Sequence, residues 1–199
     1  DYPGHLLPKY QDLLETHPTM LVPFTISFAE ACAGVHVKST LAISHRWMSP
    51  EVADIDGVQL AAIRKFLKEH PEIERVWVDY SCMPQGKRTA VQTADLRRML
   101  SQVNLLYLGA TVLILLDLSY LSRFWTQLEA WLSMQQATTG RMSRATGTER
   151  REHIVTIYNG TATAARLLEE TWANVTPEQT IEVLGQPDVM VTNQKDKWS

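Results

Sequence analysis

Cysteine is nearly absent: Cys32 and Cys82 are the only two in 199 residues. Two thiols form neither a disulfide framework nor a paired-cysteine metal site, and a cytoplasmic protein is the expectation. Long apolar runs are missing as well. No stretch approaches the roughly 18 uninterrupted apolar residues of a membrane span, and the first residues carry no signal-peptide pattern. The chain opens on Asp1 rather than Met, so a piece of a longer protein is expected. A net charge of -3 supplies no overall attraction to nucleic acid. Neither nucleic acid nor a membrane is therefore expected as a partner.

Several catalytic signatures are also lacking. The run Ser44-His45-Arg46-Trp47 holds no glycine, which argues against a Walker loop or a dinucleotide fingerprint after the first strand. There is no HExxH pattern and no G-x-S-x-G elbow. The six histidines are scattered, and no metal is expected.

What is present is ordinary globular material, 45% hydrophobic and 21% charged, in a length that suits one domain with a substantial core. Apolar runs at residues 40–45, 75–79, 111–116 and 153–158 read as strands. Between them lie helical patterns. Leu60, Ile63 and Leu67 recur along residues 58–69, and His70-Pro71 ends that helix. Leu96, Met99, Leu100, Val103, Leu106, Tyr107 and Ala110 follow one i, i+3, i+4, i+7 series. After Tyr120, the residues Leu121, Trp125, Leu128 and Leu132 share a stripe, and Glu129 falls at its boundary. Thr161 is placed to cap a helix reaching about residue 172, and Thr176-Pro177 opens another. Residues 188–192 read as a last edge strand, and 194–199 as a solvated end.

Strands alternating with helices predict a parallel sheet. The expected fold is a three-layer α/β/α sandwich, flavodoxin-like, with the first and third strands adjacent. Residues 1–39, broken by prolines, are expected to form an extension with short helices near 9–16 and 24–33, packed on a domain spanning 40–199. Residues 137–152, rich in Thr, Ser, Gly and Arg, read as a long basic flexible loop or lid.

Parallel topology brings the carboxyl ends of the strands to one edge, where open α/β sheets bind ligands. The candidate residues there are Ser44, His45, Arg46 and Trp47 after the first strand, and Asp79, Tyr80 and Cys82 after the second. Tyr120, Trp125 and Glu129 follow the third. Bland readings stand beside the functional ones. Arg46 suits a salt bridge to Asp79 as well as it suits a ligand. Cys82 reads better as a small semi-buried residue than as a nucleophile, having no activating base. The tryptophans read better as core than as stacking platforms, and Glu129 alone reads as a boundary glutamate.

Taken in order, four stretches resemble the Toll/interleukin-receptor (TIR) superfamily, and more closely its fungal heterokaryon-incompatibility (HET) relatives. They are Leu41 to Trp47, Val76 to Gln85, Tyr107 to Leu115 and Tyr120 to Leu132. The resemblance covers residues 40 to about 160. His45 stands where an aromatic is usual, Met83-Pro84 alters the spacing before Gln85, and Thr126 replaces a cysteine. The resemblance implies a signalling or cell-death domain that self-associates. In enzymatic members it implies cleavage of the nicotinamide–ribose bond of NAD by a glutamate that falls on Glu129, within Ser122-x-x-Trp125-x-x-x-Glu129. On this view Arg46 approaches the diphosphate, Trp47 or Tyr80 stacks on a ring, and the loop of residues 80–89 walls the cleft. The rival expectation is a non-catalytic homotypic interaction module, in which Glu129 is bonded to the first strand or its loop.

Overall fold

The structure is a computed structural model that describes residues 2–138, 140–186 and 189–190. Its frame is a four-stranded parallel sheet. Strands β1 (His36–His45), β2 (Arg75–Trp77), β3 (Ala110–Leu116) and β6 (Glu152–Thr156) lie in the order β2-β1-β3-β6. The first and third strands are adjacent, as the flavodoxin-like reading requires. β3 is buried at every position and reads as a near-continuous apolar run, the signature of a strand covered on both faces.

Alternation along β1 and β3 sorts the core into two layers. Leu41, Ile43, Leu113 and Leu115 pack with Leu60, Ile63 and Phe66 of helix α3 (Val58–Glu69) on one face. Ala42, Val112, Ile114 and Leu116 turn to the other face. There they meet Leu106 and Tyr107 of α6 (Val103–Gly109), Ala130 and Trp131 of α7 (Phe124–Ser133), and Leu168 and Trp172 of α8 (Ala162–Trp172). Two apolar layers enclosing one sheet make a three-layer α/β fold.

The N-terminal segment carries α1 (Tyr10–Thr16) and α2 (Phe28–Ala33). Ser27 and Glu30 form a reciprocal capping box, and Gly34 closes α2 in the left-handed conformation, which glycine adopts without a Cβ penalty. This cap starts α2 at Phe28, later than the apolar pattern suggests. β1 itself begins at His36, inside the 1–39 segment. A last helix, α9 (Pro177–Leu184), has Thr176 as its cap and Pro177 in its first turn.

Four expectations are corrected. The single helix through residues 96–110 is two, α5 (Ala90–Leu100) and α6. Gln102 leaves helical geometry between them, so α5 buries none of its residues while α6 buries Leu106 through Gly109. Apolar spacing continues across the break and hides it. The loop after the second strand opens with a helical turn, α4 (Asp79–Cys82), whose Tyr80 and Ser81 are buried. The basic loop contains regular structure. β4 (Gln135–Ala137) and β5 (Met142–Arg144) pair antiparallel, and Arg151 is buried. Finally, Trp125 is 40% exposed rather than part of the buried stripe, which runs instead through Phe124, Gln127, Ala130 and Trp131. Of the expected edge strand at 188–192, Met190 forms an isolated parallel bridge with Arg123. Its other residues, Val189 apart, lie outside the described residues, as does the end at 194–199.

Candidate functional site

The order β2-β1-β3-β6 reverses direction between β1 and β3, and the crevice above that point is where doubly wound sheets take ligands. Three consecutive residues at the end of β1 face three different ways. Ser44, in phase with Ala42, turns to the α7 side. Its Oγ lies 2.6 Å from Glu129 Oε2 and 2.6 Å from the Tyr120 hydroxyl. Tyr120 is fully buried and donates to the Thr126 carbonyl at 2.8 Å. A second tyrosine, Tyr107, donates to the Ile43 carbonyl at 3.3 Å and also faces Glu129.

His45, in phase with Ile43, turns to the α3 side. Its Nδ1 is 2.5 Å from Gln59 Oε1 and its Nε2 is 2.8 Å from Asp79 Oδ1. Gln59 donates its amide protons to the carbonyls of Arg46 and Ala53 at 3.1 and 2.8 Å, so its oxygen is the atom that meets the ring. Both ring nitrogens therefore face acceptors, and both must carry protons. His45 is an imidazolium paired with Asp79. Burial opposes its charge, but Asp79 and Gln59 outweigh it and raise the His45 pKa. Asp79 also accepts from Trp47 Nε1, at 3.1 Å on Oδ1 and 2.9 Å on Oδ2.

Arg46 points across the crevice to β3. It donates to Asp117 Oδ2 from Nε at 2.9 Å and from a terminal nitrogen at 2.6 Å. Asp117 Oδ1 in turn accepts from the Tyr120 amide at 2.8 Å and caps the 3-10 turn Leu118–Ser122. The bland partner expected for Arg46, Asp79, is thus replaced by Asp117: β1 and β3 are neighbours, and Asp79 is already held by His45 and Trp47.

Glu129 is the group this arrangement leaves chemically open. Its residue is half-buried, and no salt bridge to it is found among the described residues. Desolvation pushes its carboxyl up to about 8 and the nearby Asp79 charge adds to the rise. The Ser44 and Tyr107 hydroxyls, with the His45 charge, act the other way and only partly offset it. A carboxyl titrating near neutrality in a parallel-sheet crevice is suited to acid–base work or to meeting a developing positive charge.

The remaining expected residues divide. Tyr80 is buried, donates to the Glu51 carbonyl at 3.0 Å and meets Trp47 edge-on at 5.0 Å. Its ring is occupied by that contact. Burial pushes the Cys82 thiol up to about 11, so it carries no thiolate at neutral pH. Trp125 packs edge-on against Phe124 at 5.1 Å and belongs to the surface of α7. Gln59 and Tyr107 were not among the expected site residues. The one available signal was a polar residue beside the apolar stripe of α3, because Tyr107 reads as core. Two surface depressions, one of about 450 Å³ beside His5, Gly57 and Arg64 and one of about 390 Å³ between α3 and β6, hold none of the expected site residues.

Comparison with known protein families, curated proteins and solved structures returns no match.

Proposed function

We propose that this chain is a TIR/HET-like signalling or cell-death domain that hydrolyses or cyclises NAD at the nicotinamide–ribose bond, with Glu129 as the catalytic carboxylate. The observation that supports this reading is the place of Glu129. It sits at the carboxyl edge of the sheet, held by Ser44 at 2.6 Å and free of a cationic side-chain partner among the described residues.

Breaking the bond between ribose C1′ and the ring nitrogen sends the electron pair to nicotinamide, which leaves neutral and needs no general acid. The ribose becomes oxocarbenium-like, and an ionised Glu129 stabilises that charge. Water then attacks C1′ and releases a proton; in a cyclase, a nitrogen of the substrate's own adenine replaces the water. The nicotinamide ring of NAD is itself cationic, so its arrival beside Glu129 favours the carboxylate over the acid. One carboxyl therefore suffices, in contrast to the paired acids of ordinary glycoside hydrolysis. The diphosphate is not assigned to Arg46, whose guanidinium is spent on Asp117 and on its own loop.

Chromatography of NAD incubated at high protein concentration tests the proposal. Wild type releases nicotinamide, and Glu129→Ala releases none while staying folded. Undiminished release by the variant removes Glu129 from the mechanism.

A second reading, a non-catalytic module acting through homotypic contacts, is favoured by one observation: Glu129 is tied to the first strand through Ser44, as a structural carboxyl would be. It predicts self-association with no turnover, even when the domain is clustered on a scaffold.

A further inference from the structure

The polar atoms around Glu129 form a chain in which protons can be counted. At its far end is the Thr126 backbone carbonyl, which can only accept, and the Tyr120 hydroxyl donates to it at 2.8 Å. A tyrosine has one hydroxyl proton. In the 2.6 Å contact between Tyr120 and Ser44, Tyr120 is then the acceptor and Ser44 the donor. Serine also has one proton, already given to Tyr120. In the second 2.6 Å contact, between Ser44 Oγ and Glu129 Oε2, the proton has to come from Glu129.

An ionised Glu129 breaks this sequence. Ser44 then turns its proton to the carboxylate, and either the Ser44–Tyr120 or the Tyr120–Thr126 contact is left without one. Two oxygens at 2.6 Å with no proton between them repel, and the pair cannot separate freely because Ser44 and Tyr120 are both fully buried.

We infer that the resting protein holds Glu129 as a neutral carboxylic acid, and that Ser44 and Tyr120 are positioning residues that keep its proton in place. The charged and titratable groups facing Glu129 are His45 from β1, Asp79 after β2, Tyr107 from α6 and Tyr120 after β3. The first two are paired at 2.8 Å, so their opposed charges largely cancel at Glu129. The tyrosines are neutral at any ordinary pH, since burial raises both well above the usual phenol range. Neighbouring charge therefore does not override the proton chain. Under the NAD-cleaving reading, on which this consequence alone rests, the proton must leave before the carboxylate can act. Turnover then rises with pH through the Glu129 midpoint.

Tyr120 is the residue that tests this. Tyr120→Phe removes the competitor for the Ser44 proton, so ionisation no longer breaks a contact and the Glu129 midpoint falls. The shift is up to about tenfold in proton affinity, the worth of one hydrogen bond. Ser44→Thr keeps the hydroxyl and the wild-type midpoint.

The test is an isotope-edited infrared titration of the full chain carrying labelled glutamate carboxyls, with the Glu129 band assigned by its loss in Glu129→Gln. It needs no activity, so the proton assignment and the NAD reading fail separately. A wild-type midpoint far above ordinary carboxyls, lowered in Tyr120→Phe and unmoved in Ser44→Thr, is the expected result. A wild-type midpoint in the ordinary carboxylate range overturns the inference, and so does a Tyr120→Phe midpoint that stays or rises. Should Tyr120→Phe not fold, the wild-type midpoint decides.

Discussion

Glu129 is costly to the fold, and the direction of its pH dependence follows from where its proton sits. Its ordinary carboxyl value is 4.5 and the folded value is about 8. Between the two, the unfolded chain releases a proton that the folded chain keeps, so stability falls as pH rises through that window. At about 1.4 kcal/mol per unit, and discounted for partial exposure, the loss by pH 8 is on the order of a few kcal/mol. Glu129→Gln, which cannot ionise, should therefore be more stable than wild type near pH 8. That advantage should vanish toward pH 4.5, as read by denaturant midpoints; an equal difference at both pH values would place the cause elsewhere. Arg151 presents the reverse case, a buried cation whose guanidinium forms no salt bridge among the described residues. It is 5% exposed and donates to the carbonyls of Gln135, Leu132 and Tyr107 at 2.6, 2.8 and 3.1 Å. Two of these acceptors lie in the last turns of α7 and α6, where helix carbonyls carry partial negative charge. Burial lowers the Arg151 pKa to about 10, which still leaves it charged at neutral pH. Arg151→Ala strands three buried acceptors at about 1–3 kcal/mol each. Equilibrium unfolding should show a loss of several kcal/mol, and a change below about 1 kcal/mol would mean that water replaces the guanidinium.

Among the elements, the approach of α2 to α6 depends on a single glycine. A Cβ on Gly109 would stand 2.7 Å from Ala31 Cα and Cβ and 2.7 Å from Ile26 Cδ1, closer than packed carbons come. Gly109→Ala is expected to shift α2 off the domain and to lower stability by about 1–3 kcal/mol, as overpacking does. Unchanged stability would show that α2 is not seated as described. The two helices that the 96–110 pattern fused also belong to this scale. The apolar series from Leu96 to Ala110 satisfies helical spacing throughout, yet only α6 has a surface to bury against, so the chain turns at Gln102. Capping chemistry was more legible: Thr161 and Thr176 each accept from a backbone amide in the first turn of the helix they begin. Such bonds are local, and the residues that make them lie three apart in sequence.

For the whole molecule, both titrating groups in the crevice act in one direction. His45 has a raised pKa, so its contribution is complete below its ordinary value of 6.5 and is lost as pH rises through the folded value. Glu129 also loses with rising pH. The melting temperature should therefore be higher near pH 6 than near pH 8.5, with Glu129→Gln flattening part of the slope. A wild-type melting temperature that holds steady or climbs across that interval would contradict the proton assignments at both residues.

The sequence by itself determined the parallel sheet, read as flavodoxin-like with its first and third strands adjacent, because β3 is apolar at every position but Thr111 and each strand is followed by helix-forming spacing. It also marked the sheet edge at which Ser44, His45, Asp79 and Glu129 meet, since that is a consequence of topology. Period-2 alternation even implies that Ser44 and His45 face opposite layers. Only the tertiary structure decided the partners: Arg46 with Asp117, His45 with Asp79 and Gln59, and Glu129 with Ser44, 85 residues away. It also turned the basic stretch into a hairpin backed by a buried arginine. The reason is physical. Periodicity and capping record interactions within a turn or a pleat, whereas a proton's position depends on which acceptors the folded chain brings within about 3 Å.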